Sequence, residues 1–281
     1  MQRLDRLGWT DGLSFVAYGR RFGIRTNTAA ILSQLESMLP PGARRAECDT
    51  VDVLYSVRAG GTKRGTRVRQ FNMAYGGILR IARGLELDRV LDDAEAHLHL
   101  TVAAEARNRV FVHAGVVEWG GRAILIPGTS RSGKTTLVEA LLRAGATYYS
   151  DEYAVLDAAG RVHPFARPLR VRSGGAPGRG RKVDPLEFGA RIGRRPVELG
   201  LVVVTQFDPG ARWRPHRLDS GRGVLALMEN AVQARTQPAR VLRYLSGAVG
   251  AVPIVKGPRP DAGQIVTRVL ELMESERPGR T

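Results

Sequence analysis

Ile124-Leu125-Ile126-Pro127-Gly128-Thr129-Ser130-Arg131-Ser132-Gly133-Lys134-Thr135-Thr136 is the run from which the rest of this chain can be read. Gly128, Gly133, Lys134 and Thr135 fit the pattern G-x-x-x-x-G-K-[ST] of a phosphate-binding loop. The context fits too: Ala123 to Ile126 predicts a strand, and Thr136 to Ala144 predicts a helix with Gly145 as its C-cap. In such a loop the backbone from Gly128 through Thr129, Ser130, Arg131, Ser132, Gly133, Lys134, Thr135 and Thr136 wraps phosphate oxygens. Its N–H groups point inward, and the helix adds its positive N-terminal end. Lys134 would reach the β- and γ-phosphates, and the Thr135 hydroxyl would bind Mg2+. ATP with Mg2+ is the expected ligand pair, although the sequence carries neither an adenine-specific signature nor the Asn-Lys-x-Asp of the guanine type.

Upstream, Val110 to Trp119 predicts a strand, Gly120-Gly121 a hairpin turn, and Arg122 to Ile126 the returning strand. The loop is thus fed by an antiparallel hairpin. A turn there pairs Trp119 with Arg122 and, counting back, His113 with Gly128. A histidine in that place can contact a phosphate or hold a carboxylate. Downstream, Tyr148-Tyr149 predicts a short strand ending at Asp151-Glu152. In a strand–helix–strand unit both connections lie at the carboxyl ends of the strands, which brings this pair toward the γ-phosphate. One carboxylate can bind Mg2+, and the other can orient a hydroxyl and accept its proton. The metal candidates are therefore Thr135, Asp151 and Glu152, and the catalytic candidates Asp151, His113 and Lys134.

The chain reads as α/β in two regions. Residues 1–105 predict a small accessory or substrate-recognition α/β domain. Its elements are a helix at Thr28 to Met38, a strand at Thr50 to Val57, two strands around Gly76-Gly77, and a long helix at Leu87 to Ala106. Residues 106–281 predict the catalytic domain. After Asp151-Glu152 come a hairpin around Gly160 and a Gly- and Arg-rich stretch, 173–195, that reads as an exposed loop. Leu199 to Gln206 predicts a buried strand, Val252 to Val255 a further one, and helices are expected at Gly223 to Ala234, Ala239 to Gly247 and Ala262 to Glu274. Arg170 and Arg172 alternate on one strand, and ten Lys/Arg against two acidic residues fall between 161 and 195. Such a run can hold an anionic substrate or simply form a solvated face.

The 281 residues carry a formal net charge of +16, nearly all from arginine, which favours an anionic partner such as a nucleotide or an acidic peptide. Nucleic acid is disfavoured: aromatics are 6% of residues, scattered, and no nucleic-acid module is evident. No apolar run is long enough to span a membrane. The start, Met-Gln-Arg-Leu-Asp-Arg, lacks a signal-peptide stretch, and Cys48 is the single cysteine. The expected location is the cytoplasm.

Three segments taken together resemble the catalytic domain of the HPr kinase/phosphorylase-like family. They are His113-Ala-Gly-Val-Val-Glu-Trp-Gly-Gly, then Ile124 through Thr136, then Gly145-Ala-Thr-Tyr-Tyr-Ser-Asp-Glu. The resemblance implies a P-loop kinase core of the HPr kinase/phosphoenolpyruvate carboxykinase type and transfer of a nucleotide γ-phosphate to a serine. Carried over, Lys134 and Thr135 hold phosphate and magnesium, Asp151 is the base with His113 beside it, and Glu152 replaces the family's second aspartate. Members tend to form oligomers, so self-association is implied as well. The bifunctional enzymes carry Glu-x-Arg-Gly, whereas the nearest match here is Arg170-Val171-Arg172-Ser173. Arginine in place of glutamate argues against phosphorylase activity and against the sugar-regulating enzyme itself. HPr-kinase-like tailoring kinases, which phosphorylate ribosomally made peptides such as lasso-peptide precursors, are the better match. A peptide or small protein is then the expected partner. A small-molecule (amino acid or sugar) kinase and a nucleotide-binding regulatory protein without turnover are the competing readings.

Overall fold

The computed structural model describes residues 2–47, 50–61, 69–129, 132–171, 180–250 and 252–275. It is mixed α/β and divides into two compact units, Met1–Asn108 and Arg109–Thr281.

The first unit begins with a short helix, α1 (Gln2–Asp5), and a hairpin of β1 (Asp11–Ala17) and β2 (Arg20–Thr26) that the sequence reading did not anticipate. Ala17 pairs with Arg20, and the two-residue turn is Tyr18-Gly19, with φ of 49° and 83°. Both turn residues at positive φ give the tight turn that matches strand twist. Alternation puts Leu13, Phe15 and Ala17 on the same buried face as Phe22 and Ile24. Phe15 faces Phe22 across the ladder with ring centroids 5.3 Å apart. The expected helix at Thr28 to Met38 is a single turn of 3-10 helix capped by the Thr28 side chain, followed by α2 (Leu32–Ser37). Then come β3 (Arg44–Arg45), β4 (Val53–Arg58), β5 (Asn72–Gly76), β6 (Leu79–Gly84) and α3 (Leu87–Glu105). The sheet order is β3-β1-β2-β4-β5-β6, with β2 and β4 parallel. Val90, Leu91, Ala94, Leu98 and Val102 recur at helical spacing along α3 and are buried against that sheet's core.

The second unit is an eight-stranded sheet ordered β11-β10-β7-β8-β14-β16-β15, with β9 also on β7. Its strands are β7 (Val110–Trp119), β8 (Arg122–Pro127), β9 (Thr147–Ser150), β10 (Tyr153–Leu156), β11 (Arg161–His163), β14 (Val197–Val204), β15 (His216–Arg217) and β16 (Ile254–Lys256). A separate ladder joins β12 (Leu169–Val171) to β13 (Arg181–Val183). The helices are α4 (Lys134–Arg143), α5 (Ser220–Met228), α6 (Pro238–Val249) and α7 (Val266–Ser275). Every described residue of β8 beyond Arg122 is buried, because both faces are covered. Ile124 and Ile126 pack with Leu137, Leu141 and Val269 of α4 and α7. Ala123 and Leu125 pack with Val224, Leu227, Val241 and Leu245 of α5 and α6.

The 173–195 stretch is not one exposed loop. Residues 172–179 lie outside the described part, but β13 follows, and then a 3-10 turn at Pro185–Phe188. Asp184 and Glu187 form a reciprocal capping box around that turn, with Pro at its first position. Buried Ala190 and partly buried Phe188 tie the segment to the core. Among the described residues no helix is long and apolar enough to cross a membrane.

Candidate functional site

The hairpin register is the one expected from the Gly120-Gly121 turn: Trp119 faces Arg122 and Ala114 faces Pro127. The Gly128 amide donates to the His113 carbonyl at 3.1 Å, so the histidine strand flanks the first residue of the Gly-rich loop. Beyond Pro127 the chain leaves the sheet and returns as α4, whose N-cap is Gly133 at φ 87°. That left-handed conformation suits glycine and lets the helix start without a side chain in the way. Gly115 of β7 has a packing role: a Cβ there would meet Val138 Cγ2 at 2.5 Å, so its absence allows α4 to close on the sheet.

β8 and β14 run parallel, as do β14 and β16. The connections after all three strands gather at one edge. Phe207 N–H donates to the Ser132 carbonyl at 3.3 Å, and the Arg259 Nη2 donates to the Gly133 carbonyl at 2.7 Å. Asp208 N–H donates to the Arg259 carbonyl and Arg259 N–H to the Gln206 carbonyl, joining the two supporting loops. This is the carboxyl edge of the three parallel strands in an otherwise antiparallel sheet, the kind of edge at which open α/β folds bind ligands.

β9 and β10 both run antiparallel along β7, at Val116–Glu118 and Val110–His113 respectively. Asp151 and Glu152 form the break between them. The sequence reading put the pair at a strand end; the structure adds that β10 resumes the ladder immediately afterwards. Ser150 Oγ accepts from the Glu152 and Tyr153 amides, which fixes the bend. The two carboxylates then take different partners. Asp151 Oδ2 accepts from the Thr135 hydroxyl at 2.8 Å, whereas Glu152 Oε2 is 3.3 Å from Arg167 Nη1. Asp151 is half-buried as a residue, yet its Oδ1 is sealed from solvent and has no hydrogen-bond partner among the described residues.

The electrostatics follow from this burial. Loss of solvent pushes the Asp151 carboxyl up to about 7, against the Thr135 hydrogen bond and the Lys134 charge, with Glu152 adding to the rise. Burial also lowers the Lys134 ammonium below the ordinary lysine value, opposed by Asp151. The Lys134 Nζ donates to the Thr129 carbonyl at 2.8 Å, closing the loop on itself. Burial lowers His113 as well, and the Lys134 charge lowers it further, with the Glu152 carbonyl opposing. The His113 ring lies 4.8 Å from that of Tyr153, its partner across the ladder.

Asp151, Lys134, Thr135 and His113 thus fall in one neighbourhood, linked by contact or by charge. Gly128 is half-buried, Thr129 and Thr136 are exposed, and a Cβ on Gly128 would collide with Ser132 Oγ at 2.6 Å. Ser130, Arg131 and Arg172 lie outside the described residues. Arg170 stands on β12 opposite Lys182. The residues missed in the sequence reading are Arg167, Phe207 and Arg259. Arg259 is the one that left a signal, as a cation set between Pro258 and Pro260 shortly after the predicted strand Val252 to Val255.

The donor set suits a magnesium-bound polyphosphate. Two oxygen groups, the half-buried Thr135 hydroxyl and the Asp151 Oδ1 that has no partner among the described residues, sit at the start of a helix. No group of three or more His, Cys, Asp or Glu that could hold a metal occurs among the described residues. Magnesium commonly takes one or two protein carboxylates and completes its shell with phosphate and water. No protein-family model matches the chain, and no curated protein matches it.

Proposed function

We propose that the second unit is an HPr-kinase-like P-loop kinase that transfers the γ-phosphate of ATP to a hydroxyl, the serine of a peptide or small protein. One observation carries the reading: the Thr135 hydroxyl of the Gly-rich loop donates to a buried carboxylate, Asp151, whose second oxygen has no partner among the described residues. A nucleotide-binding switch has no need of a proton acceptor raised to about 7, whereas a transferase acting on a hydroxyl does.

In this reading the loop amides and Lys134 hold the triphosphate, and Thr135 with Asp151 would hold magnesium. Magnesium, when bound, offsets charge on the β- and γ-phosphates. Asp151 accepts the proton of the attacking hydroxyl. The new bond joins the serine oxygen to the γ-phosphorus, the β–γ bridge bond breaks, and ADP leaves. His113, held below its ordinary value by burial and by the Lys134 charge, lies on the strand that flanks the loop and adds little positive charge to the site. Arg167 keeps the Glu152 carboxylate turned toward itself, which leaves Asp151 as the base. Positioning and charge neutralisation supply most of the rate in such transfers.

The test is label transfer from γ-labelled ATP with magnesium, offered in parallel to serine-containing peptides and to a pool of small hydroxyl metabolites. Label on a peptide serine is expected. Label only on a metabolite would make this a small-molecule kinase, and nucleotide binding with no transfer at all would leave a regulatory protein.

A further inference from the structure

Five buried side-chain polar atoms lack a hydrogen-bond partner among the described residues: Thr26 Oγ1, Ser132 Oγ, Asp151 Oδ1, Trp213 Nε1 and Arg259 Nε. Folded proteins satisfy nearly all such atoms, so their clustering carries information. Three of the five belong to the Gly-rich loop or to residues hydrogen-bonded to it. Arg259 is the least expected of them. It is 1% exposed, and its guanidinium donates only to backbone carbonyls, to Gly133 at 2.7 Å and to its own neighbour Pro260 at 2.9 Å. No carboxylate lies within ion-pair distance among the described residues. The Phe207 ring sits 5.5 Å from its Cζ. The Asp261 carboxylate favours the cation through space but makes no ion pair with it, and a buried cation without a direct counter-ion is costly unless an anion arrives to meet it.

The geometry says how this cation acts on the loop. In a trans peptide the C=O and the following N–H point in opposite directions. Phe207 N–H holds the Ser132 carbonyl, so the Gly133 N–H faces the other way. Arg259 at 2.7 Å and the Leu137 N–H at 3.2 Å both hold the Gly133 carbonyl, so the Lys134 N–H also faces away from Arg259. Two consecutive amides at the start of α4 are thereby fixed toward the side that does not carry the supporting loops. The fit is tight: a Cβ on Gly133 would lie 2.4 Å from Arg259 Nη2 and 3.2 Å from Phe207 Cβ.

We propose that Arg259 is a positioning residue for a polyphosphate anion, locking the Gly133–Lys134 peptide with its N–H toward the anion and adding buried positive charge behind it. The proposal rests on the nucleotide reading above and goes beyond it by naming a residue outside the Gly-rich motif as a determinant of phosphate affinity.

The experiment is calorimetric titration of the full chain with ATP and with inorganic tripolyphosphate, which carries the phosphates without the base. The proteins are wild type, Arg259→Gln, Arg259→Lys and, as a control on the site itself, Lys134→Ala. Loss of one charge-assisted hydrogen bond and a buried charge predicts about tenfold weaker binding of both ligands to Arg259→Gln. Arg259→Lys should recover part of that loss, because it restores the charge without the fork that bridges two carbonyls. A merely structural role would lower the unfolding midpoint and leave the affinity of the folded protein unchanged, which would overturn the proposal. If Lys134→Ala loses affinity and Arg259→Gln does not, the nucleotide reading stands and the proposal for Arg259 falls. If wild type binds neither ligand, the nucleotide reading falls and takes the proposal with it. Should Arg259→Gln fail to fold, the Arg259 Nε–H resonance of wild type decides: it should move on saturation with tripolyphosphate, and no movement at saturation would overturn the proposal.

Discussion

Replacing Asp151 by Asn tests the central electrostatic claim without any substrate. The folded carboxyl titrates at about 7 against 3.8 for a free aspartate, chiefly because it is buried. The folded state therefore holds a proton that the unfolded chain has already released between these two values. For such a group the stabilising contribution is complete below the unfolded value and is lost as pH rises through the folded one. Wild type should lose stability relative to Asp151→Asn by up to about 1.4 kcal/mol per pH unit across that window. The total would approach about 4 kcal/mol, with no further change above the window. The asparagine can still accept the Thr135 hydroxyl. Its amide donor is left without a partner, a cost of about 1–3 kcal/mol that does not vary with pH. The difference between the two pH profiles, rather than the difference at any one pH, thus isolates the charge. Urea unfolding at several pH values from 5 to 8 would measure it. Trp119 and Trp213 report on the second unit, and Trp9 serves as an internal control in the first. Parallel profiles for the two proteins, or wild type gaining on the variant as pH rises, would refute the argument that Asp151 is held largely protonated by burial.

Four further outcomes are expected. If Asp151 accepts the hydroxyl proton, Asp151→Asn should abolish label transfer while ATP still binds in a calorimetric titration; full activity in that variant removes Asp151 as the base. Thr135→Val deletes the hydrogen bond that holds Asp151 down, so in magnesium-free urea unfolding the pH at which stability stops falling should move up, and an unmoved profile counts against the contact. Lys134→Ala should weaken ATP binding by at least about tenfold in a calorimetric titration, and unchanged affinity would mean the Gly-rich loop is not the site. Gly115→Ala places a Cβ 2.5 Å from Val138 Cγ2 and should cost about 1–3 kcal/mol in urea unfolding; a wild-type midpoint would show that α4 can shift at no cost.

The second unit was legible where the physics is local. The Gly120-Gly121 turn fixes the hairpin register by counting, and the apolar run of β8 with its Gly-rich exit announces a buried strand and a helix start. Legibility failed where local signals conflict with tertiary ones. The β1–β2 hairpin was missed because its turn is Tyr18-Gly19, a pairing with a bulky residue at positive φ, and because polar Arg20, Arg21 and Arg25 dilute the alternation of Phe22 and Ile24. The described part of 173–195 was misread for a similar reason. Composition suggests an open loop, but Phe188 and Ala190 reach the core, and the capping box at Asp184 and Glu187 is the overlooked signal.

The site divides along the same line. A chemical motif can be recognised when its residues are contiguous, as in Gly128 to Thr136, or when one crossover brings two short segments together, as with Thr135 and Asp151. It cannot be recognised when the relation is set by sheet order. Arg259 lies 126 residues from Gly133 in sequence, and only the placement of β14 and β16 beside β8 brings them within hydrogen-bond distance. The same argument separates Asp151 from Glu152. Adjacent in sequence and chemically alike, they could exchange roles on paper. One bend, fixed by Ser150, aims the first at Thr135 and the second toward Arg167. The pair therefore comprises a buried carboxyl that titrates at about 7 and a carboxylate in an ion pair, and the buried one keeps an oxygen with no partner among the described residues.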